Sequence, residues 1–298
     1  MQDKTVLITG GNEGIGLATA IRLAEKGAQI ILSCRDEHKG LNAAGVISKK
    51  TGNEKTLVIP FDLADLGSVS AAAEFILTEH PKLDVLINNA GVFTNRLHHT
   101  QEGYELQFGV NHLGHFLLTN LLLPALQFPD EGGRVINVSS SAHFRGEIDF
   151  TNLRGEKGDR QYNGPRAYAK SKLANVLFTK ELARRYQGEI TANCLHPGVV
   201  ATRFANKNGG AFVSTIWNLY KPFARKPDKG ADTVVYLAKS PEVRDVTGRY
   251  FDQRQCVKRP SESARDKGLA ERLWQYSQTA VAKYINGTQQ LGSNQGPI

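Results

Sequence analysis

Tyr168 and Lys172 stand four residues apart in Tyr168-Ala169-Lys170-Ser171-Lys172, so on a helix their side chains stack on one face. A phenol titrates near ~10 in water, too high to exchange protons readily at neutral pH. An ammonium beside it stabilises the phenolate and lowers that value, which makes Tyr168 a candidate general acid or base. The run Ser139-Ser140-Ser141 follows a short apolar strand pattern, and one of its hydroxyls could steady negative charge developing on a substrate oxygen. Each feature also has an ordinary reading: a surface pair on an amphipathic helix, and a serine turn that satisfies backbone groups.

A second constellation lies near the N-terminus, in Thr9-Gly10-Gly11-Asn12-Glu13-Gly14-Ile15-Gly16 between the first strand pattern and the first helical one. Glycines allow positive φ and close backbone approach, and the following helix N-terminus can hold a pyrophosphate. Gly10, Asn12, Glu13, Gly14, Ile15 and Gly16 are therefore candidate dinucleotide contacts. The spacing is G-x-x-x-G-x-G, not the standard fingerprint. Gly11 and Gly16 have P-loop spacing, but Leu17-Ala18 follows, so triphosphate hydrolysis lacks its lysine. The second strand ends in Ser33-Cys34-Arg35-Asp36, where an acidic residue would bind a ribose 2′-hydroxyl. Arg35 instead offers a planar fork to a 2′-phosphate, so NADP(H) is expected. NAD(H) is the alternative, with Asp36 on the ribose; Glu13 weighs toward it by repelling a nearby phosphate.

These residues must be positioned by alternating elements. Continuous apolar runs at 5–8, 29–32, 55–59, 83–87 and 134–138 predict buried parallel strands. Helical windows at 15–26, 37–50, 67–80 and 104–127 separate them. A helix at 165–186, a strand at 190–195, a helix at 230–239 and a last strand at 247–251 complete the pattern. The alternation predicts a single doubly wound α/β domain over 1–286, with a flexible tail at 287–298.

The chain has 298 residues, 40% of them hydrophobic and 22% charged, which excludes a disordered or fibrous protein. Cys34, Cys194 and Cys256 are odd in number and far apart, so neither a disulfide framework nor a zinc cluster is expected, and no metal is implied. Met1-Gln2-Asp3-Lys4 runs into the first strand without a long apolar region, and the most apolar stretch, 113–128, is interrupted by polar residues. A soluble, cytoplasmic protein is the expectation. Residues 1–202 carry 21 basic and 21 acidic side chains, whereas 203–283 carry 16 against 8, so the whole net charge of +8 lies in the C-terminal third. A solvated basic face explains this, as would contact with something anionic such as a lipid surface or a phosphorylated ligand. No nucleic-acid motif accompanies the charge.

Taken in order, Thr9 to Gly16, Asp62-Leu63, Asn88-Asn89-Ala90-Gly91, Asn111, Val138 to Ser141, Tyr168 to Lys172 and His196-Pro197-Gly198 resemble the short-chain dehydrogenase/reductase superfamily. Cys34-Arg35-Asp36, Asn111-His112-Leu113-Gly114-His115-Phe116 and His196-Pro197-Gly198-Val199-Val200 are similar to its retinol dehydrogenase-like branch. The resemblance implies a Rossmann-type parallel sheet of about seven strands with helices on both faces. It implies Asn111, Ser140, Tyr168 and Lys172 as the catalytic set, with Ser140 chosen among the three serines and Asn111, in the helix at 104–127, ordering a water chain toward Lys172. It places Asp62 on the adenine, Leu63 beside it, and Asn89, Ala90 and Gly91 near the riboses. Pro197, Gly198, Val199 and Thr202 would meet the nicotinamide carboxamide and the diphosphate, with Tyr168 and Lys172 also touching the cofactor. Pairing of two copies through the helices at 104–127 and 165–186 is a further implication. His196 is read as structural.

Phe204, Phe212, Trp217, Tyr220 and Phe223 lie among Lys207, Lys221, Arg225, Lys226 and Lys229, so 203–229 is expected to form an apolar lid, or as a basic, aromatic helix to rest on a membrane interface. Phe204, Phe212 and Trp217 join Ser140 and Tyr168 as candidate substrate contacts, and 142–167 is expected to form a second wall. The resulting expectation is an NADP(H)-dependent oxidoreductase acting on a CH–OH group, interconverting a lipophilic alcohol and its aldehyde or ketone. The alternatives are an NAD(H)-dependent secondary-alcohol or hydroxysteroid dehydrogenase, and a catalytically silent cofactor sensor or scaffold.

Overall fold

The computed structural model describes residues 1–198 and 226–292, with side chains described as far as residue 285. Strands β1 (Thr5–Thr9), β2 (Gln29–Cys34), β3 (Thr56–Pro60), β4 (Val85–Asn88), β5 (Arg134–Val138), β6 (Thr191–Leu195), β7 (Tyr250–Phe251) and β8 (Val257–Lys258) form one sheet in the order 3-2-1-4-5-6-7-8. All neighbours are parallel except β7 and β8. The sheet thus has eight strands where about seven were expected, because Val257 and Lys258 fold back antiparallel on the outer edge of β7. Strand order reverses between β1 and β4, and ligands bind such sheets where the carboxyl ends diverge.

Alternate residues of each strand enter different cores, which is why the strands read as continuous apolar runs. Leu7, Ile31, Leu86 and Val135 pack against α3 (Leu66–Glu79) and against Phe116, Phe178 and Trp274. Val6, Ile8, Ile30, Leu32 and Ile87 face Ala20 and Leu23 of α1 (Gly14–Ala24) and Ile47 of α2 (Glu37–Thr51). Helix starts follow local chemistry: the Asp36, Asp65 and Asn163 side chains accept backbone N–H groups at the beginnings of α2, α3 and α7 (Gly164–Arg185).

The window 104–127 is not one helix. It consists of α4 (Leu106–Phe108), a π-helical turn at Gly109–Gly114, α5 (His115–Leu121) and α6 (Leu123–Gln127). Pro124 lacks the N–H that would continue the helix past Leu122. Gly109 and Gly114 press the π turn onto its neighbours: added Cβ atoms would lie 2.2 Å from Thr100 Cγ2 and 2.7 Å from the Leu63 carbonyl oxygen.

After α8 (Asp232–Lys239), a C-terminal helix α9 (Lys267–Gly292) crosses α3, α5 and α7. It continues through 287–292, where the composition reads as a tail, because Leu273, Trp274 and Val281 anchor the preceding turns and extending a formed helix is cheap. Among the described residues, no helix is long and apolar enough to cross a membrane.

Candidate active site

The glycine loop closes against the end of β4. Gly10 and Gly14 have φ of 63° and 61°, which glycine adopts without steric cost. An added Cβ on Gly16 would sit 2.3 Å from the Gly10 carbonyl oxygen and 2.7 Å from Asn89 Nδ2, so no larger residue fits. Asn89 Nδ2 donates to the Thr9 and Gly10 carbonyls at 2.8 and 3.3 Å. Glu13, the residue before α1, makes no side-chain cap, which leaves the first-turn N–H groups of α1 without a side-chain acceptor from that position. A close-approach cradle with uncapped N–H donors fits a dinucleotide pyrophosphate. Asn12, Glu13 and Ile15 lie on this rim with at least partial exposure, and Asn89, Ala90 and Gly91 continue it.

At the adenosine end, the Asp36 carboxylate caps α2 by accepting from Lys39 N and also pairs with the Lys39 ammonium, which holds it below the usual carboxylate range. Arg35 is 69% exposed and its guanidinium stands 3.9 Å from Asp62. Asp62 Oδ1 accepts from Ala64 N at 2.9 Å, and buried Leu63 packs under the π turn.

The three serines separate by burial. Ser139 is 2% exposed and its hydroxyl donates to the Lys172 carbonyl at 2.8 Å, while Ser141 is exposed at the start of a 3-10 turn. Ser140 alone shares a side-chain hydrogen bond with Tyr168. Its carbonyl accepts both N and Nδ1 of His143, at 3.1 and 2.8 Å. Lys172 is 3% exposed; its ammonium donates to the Val138 carbonyl at 3.0 Å and lies 5.5 Å from the centre of the Tyr168 ring. Lys170, two residues earlier, turns away to the Asn152 carbonyl.

Burial governs the titration of this pair. Burial pushes the Tyr168 phenol up to about 12, opposed by the Ser140 hydrogen bond rather than by Lys172. Burial also lowers Lys172 from 10.5 to about 8. The expected lowering of the phenol draws on the ammonium together with an oxidised nicotinamide, whereas desolvation of the two side chains by themselves disfavours both charged forms. Asn111, fully buried in the π turn rather than within a continuous helix, spends its side chain elsewhere than on Lys172. Its Oδ1 accepts from Val92 N at 2.7 Å, and its Nδ2 donates to the Val92 carbonyl and to Ser171 Oγ at 3.1 and 2.9 Å. Ser171 in turn donates to the Tyr168 carbonyl at 2.8 Å, so Asn111 braces the helix that carries Tyr168.

Comparisons with known proteins give this geometry a lineage. A family model described as short chain dehydrogenase matches residues 4–210. The chain belongs to the short chain dehydrogenase family. It is 44% identical to a human protein named retinol dehydrogenase 14, covering 94% of this chain and 87% of that one, and 46% identical to human retinol dehydrogenase 13, covering 93% and 84%. Among solved structures, a putative uncharacterised protein from Mycobacterium paratuberculosis is 35% identical with a TM-score of 0.74, covering 94% of both chains. A short chain dehydrogenase from Shigella flexneri complexed with NADP is 26% identical with a TM-score of 0.67, covering 85% of this chain and 98% of that one. The protein is accordingly an oxidoreductase acting on CH–OH groups, of the retinol dehydrogenase-like branch.

Within this short chain dehydrogenase, the carboxyl ends of β1, β4, β5 and β6 bring together the glycine loop, Asn89 to Gly91, Ser140, and Pro197 with Gly198. His196 accepts from Gly198 N at 3.3 Å and stacks on Tyr250. Val199, Thr202, Phe204, Phe212, Trp217, Tyr220 and Phe223 lie outside the described residues. Four residues escape sequence reasoning. Phe93 sets its ring edge-on to Tyr168 at 5.8 Å, and His143 ties Ser140 to Ser261 N. Lys39 faces Asp36 four residues after Arg35, a spacing that could have signalled it. His115 contacts Thr9, 106 residues away, for which no local signal exists.

Proposed function

We propose that this chain is an NADP(H)-dependent dehydrogenase/reductase that interconverts a lipophilic alcohol and its carbonyl compound, with Tyr168 as general acid and base. The observation that carries the reading is the Ser140–Tyr168 hydrogen bond above buried Lys172, at the sheet edge beside the glycine cradle. When bound, the dinucleotide supplies or accepts hydride at its nicotinamide. Gly10 to Gly16 would hold its phosphates, Asn89 to Gly91 its riboses, and Pro197 and Gly198 its nicotinamide end. A phenol near 12 is fully protonated at neutral pH, which suits donation to an alkoxide oxygen in the reducing direction. Ser140 orients that oxygen and, through its hydrogen bond to Tyr168, favours the phenolate left behind, with the Lys172 ammonium 5.5 Å from the ring.

Arg35 and Lys39 support the NADP(H) preference. They add two positive charges at the end of β2, while the Asp36 carboxylate is already engaged by the cap and Lys39. Relatives named retinol dehydrogenases support a lipophilic alcohol, and half-buried Phe93, edge-on to Tyr168, gives the site an apolar neighbour. The test is NADPH consumption with a graded panel of aldehydes and ketones. Turnover by the native protein, lost in Tyr168→Phe while NADPH binding persists, is the expected result; no turnover on any carbonyl or alcohol would favour a silent cofactor sensor.

We also infer that the enzyme works as a single copy. Trp274 of α9 packs at 4.9 Å on Phe116 of α5 and at 5.9 Å on Phe178 of α7, and Ser277 bonds His112 at 2.8 Å. The helices through which two copies would pair are thereby covered by the chain itself.

A further inference from the structure

His115 begins α5 with a fully enclosed ring, yet both of its nitrogens are used. Nδ1 lies 3.1 Å from the Asn111 carbonyl, and Nε2 lies 2.9 Å from Thr9 Oγ1 at the end of β1. A carbonyl only accepts, so Nδ1 carries the hydrogen. Burial, with the Lys172 charge nearby, lowers the ring to about 4, so it is neutral at working pH and Nε2 must accept. Thr9 Oγ1 therefore donates to His115 at 2.9 Å rather than to the Ile87 carbonyl, which lies farther away at 3.4 Å. That leaves its lone pairs for Asn89 N and Ala90 N, which donate to it at 2.9 and 3.0 Å.

We propose that His115 is a positioning residue that couples the two halves of the site: through Nε2 it orients the Thr9 hydroxyl that holds the Asn89-Ala90 turn, and through Nδ1 it holds the Asn111 carbonyl of the π turn. This inference rests on the cofactor cleft described above. The cofactor half is reached through Asn89, whose side chain also holds Gly10. The catalytic half is reached through Asn111, whose side chain braces the Tyr168 helix by way of Ser171. One ring thus keeps the phosphate loop and the proton-transfer helix in fixed relation.

The two nitrogens can be separated. His115→Asn keeps a donor at the Nδ1 position, and His115→Gln keeps an acceptor at the Nε2 position. NADPH binding, followed by its fluorescence, and kcat with a reducible aldehyde are measured for each, alongside His115→Leu. Loss of one buried hydrogen bond corresponds to about a tenfold effect. His115→Asn is expected to weaken NADPH binding by about tenfold with kcat little changed. His115→Gln should do the reverse, and His115→Leu should suffer both losses. Thr9→Val should reproduce the His115→Asn binding defect. If Leu is tolerated best, or if Asn and Gln lose binding and kcat in the same proportion, the ring only fills space and the proposal is overturned. Wild-type protein that binds no NADPH would overturn the cofactor reading itself; wild-type binding left unchanged in His115→Asn would overturn only the role of His115.

Discussion

Replacing Lys172 by Met should remove the activity without a matching loss of stability, and the stability difference should depend on pH in a defined direction. Burial lowers this ammonium from 10.5 to about 8. At about 1.4 kcal/mol per tenfold change in proton affinity, folding the charged group costs about 3 kcal/mol. Below pH 8 both the folded and unfolded chains carry the proton, and the cost is felt in full. Between about 8 and 10.5 the folded chain has released the proton and the unfolded chain keeps it, so native stability rises with pH; above 10.5 the cost is gone. Met removes the charge but also the bond to the Val138 carbonyl, which is worth about 1.5–3 kcal/mol with a charged donor and retains a distant Asn175 Nδ2 at 3.4 Å. At pH 7 the two effects nearly cancel. Urea denaturation of both proteins without cofactor, at pH 7 and at pH 10, reads the difference between them. The native protein should gain most of ~3 kcal/mol relative to Lys172→Met across that interval. A difference that stays flat with pH, or moves against the native protein, would refute a buried, desolvated Lys172.

Ser140→Ala should lower kcat by about a hundredfold with little change in stability, whereas Ser139→Ala should cost about 1 kcal/mol of stability and leave the catalytic hydroxyl in place; kinetics and thermal melts distinguish them. Arg35→Gln should raise the NADPH KM by about ten- to a hundredfold, the worth of one charge-assisted contact, and leave NADH little affected. Gel filtration with light scattering should give the mass of one 32.7 kDa chain. In Trp274→Glu, a buried charge would loosen α9 from Phe116 and Phe178 and make the protein less stable or self-associating.

Much of the site is readable along the chain because its constraints are local. Gly10 and Gly14 take positive φ, and Gly16 meets the Gly10 carbonyl, so the loop admits little else than the glycines that announce it. Tyr168 and Lys172 share a helix face by spacing alone. Continuous apolar strands imply a sheet covered on both sides, and that implies crossover helices and a cleft at the carboxyl edge. Burial and long-range contact decide the rest. Which of three adjacent serines meets Tyr168 depends on how β5 leads into the turn after it. Burial shifts the Tyr168 phenol up against the Ser140 hydrogen bond. The π turn that holds Asn111 forms where Gly109 and Gly114 press on Thr100 and Leu63, and α9 holds its length because Trp274 finds Phe116 and Phe178. His115 and Thr9 find each other across 106 residues, and periodicity carries no trace of such a pair. Sequence spacing determines which groups can share an element; only packing determines which groups lose water together, and that loss sets their chemistry.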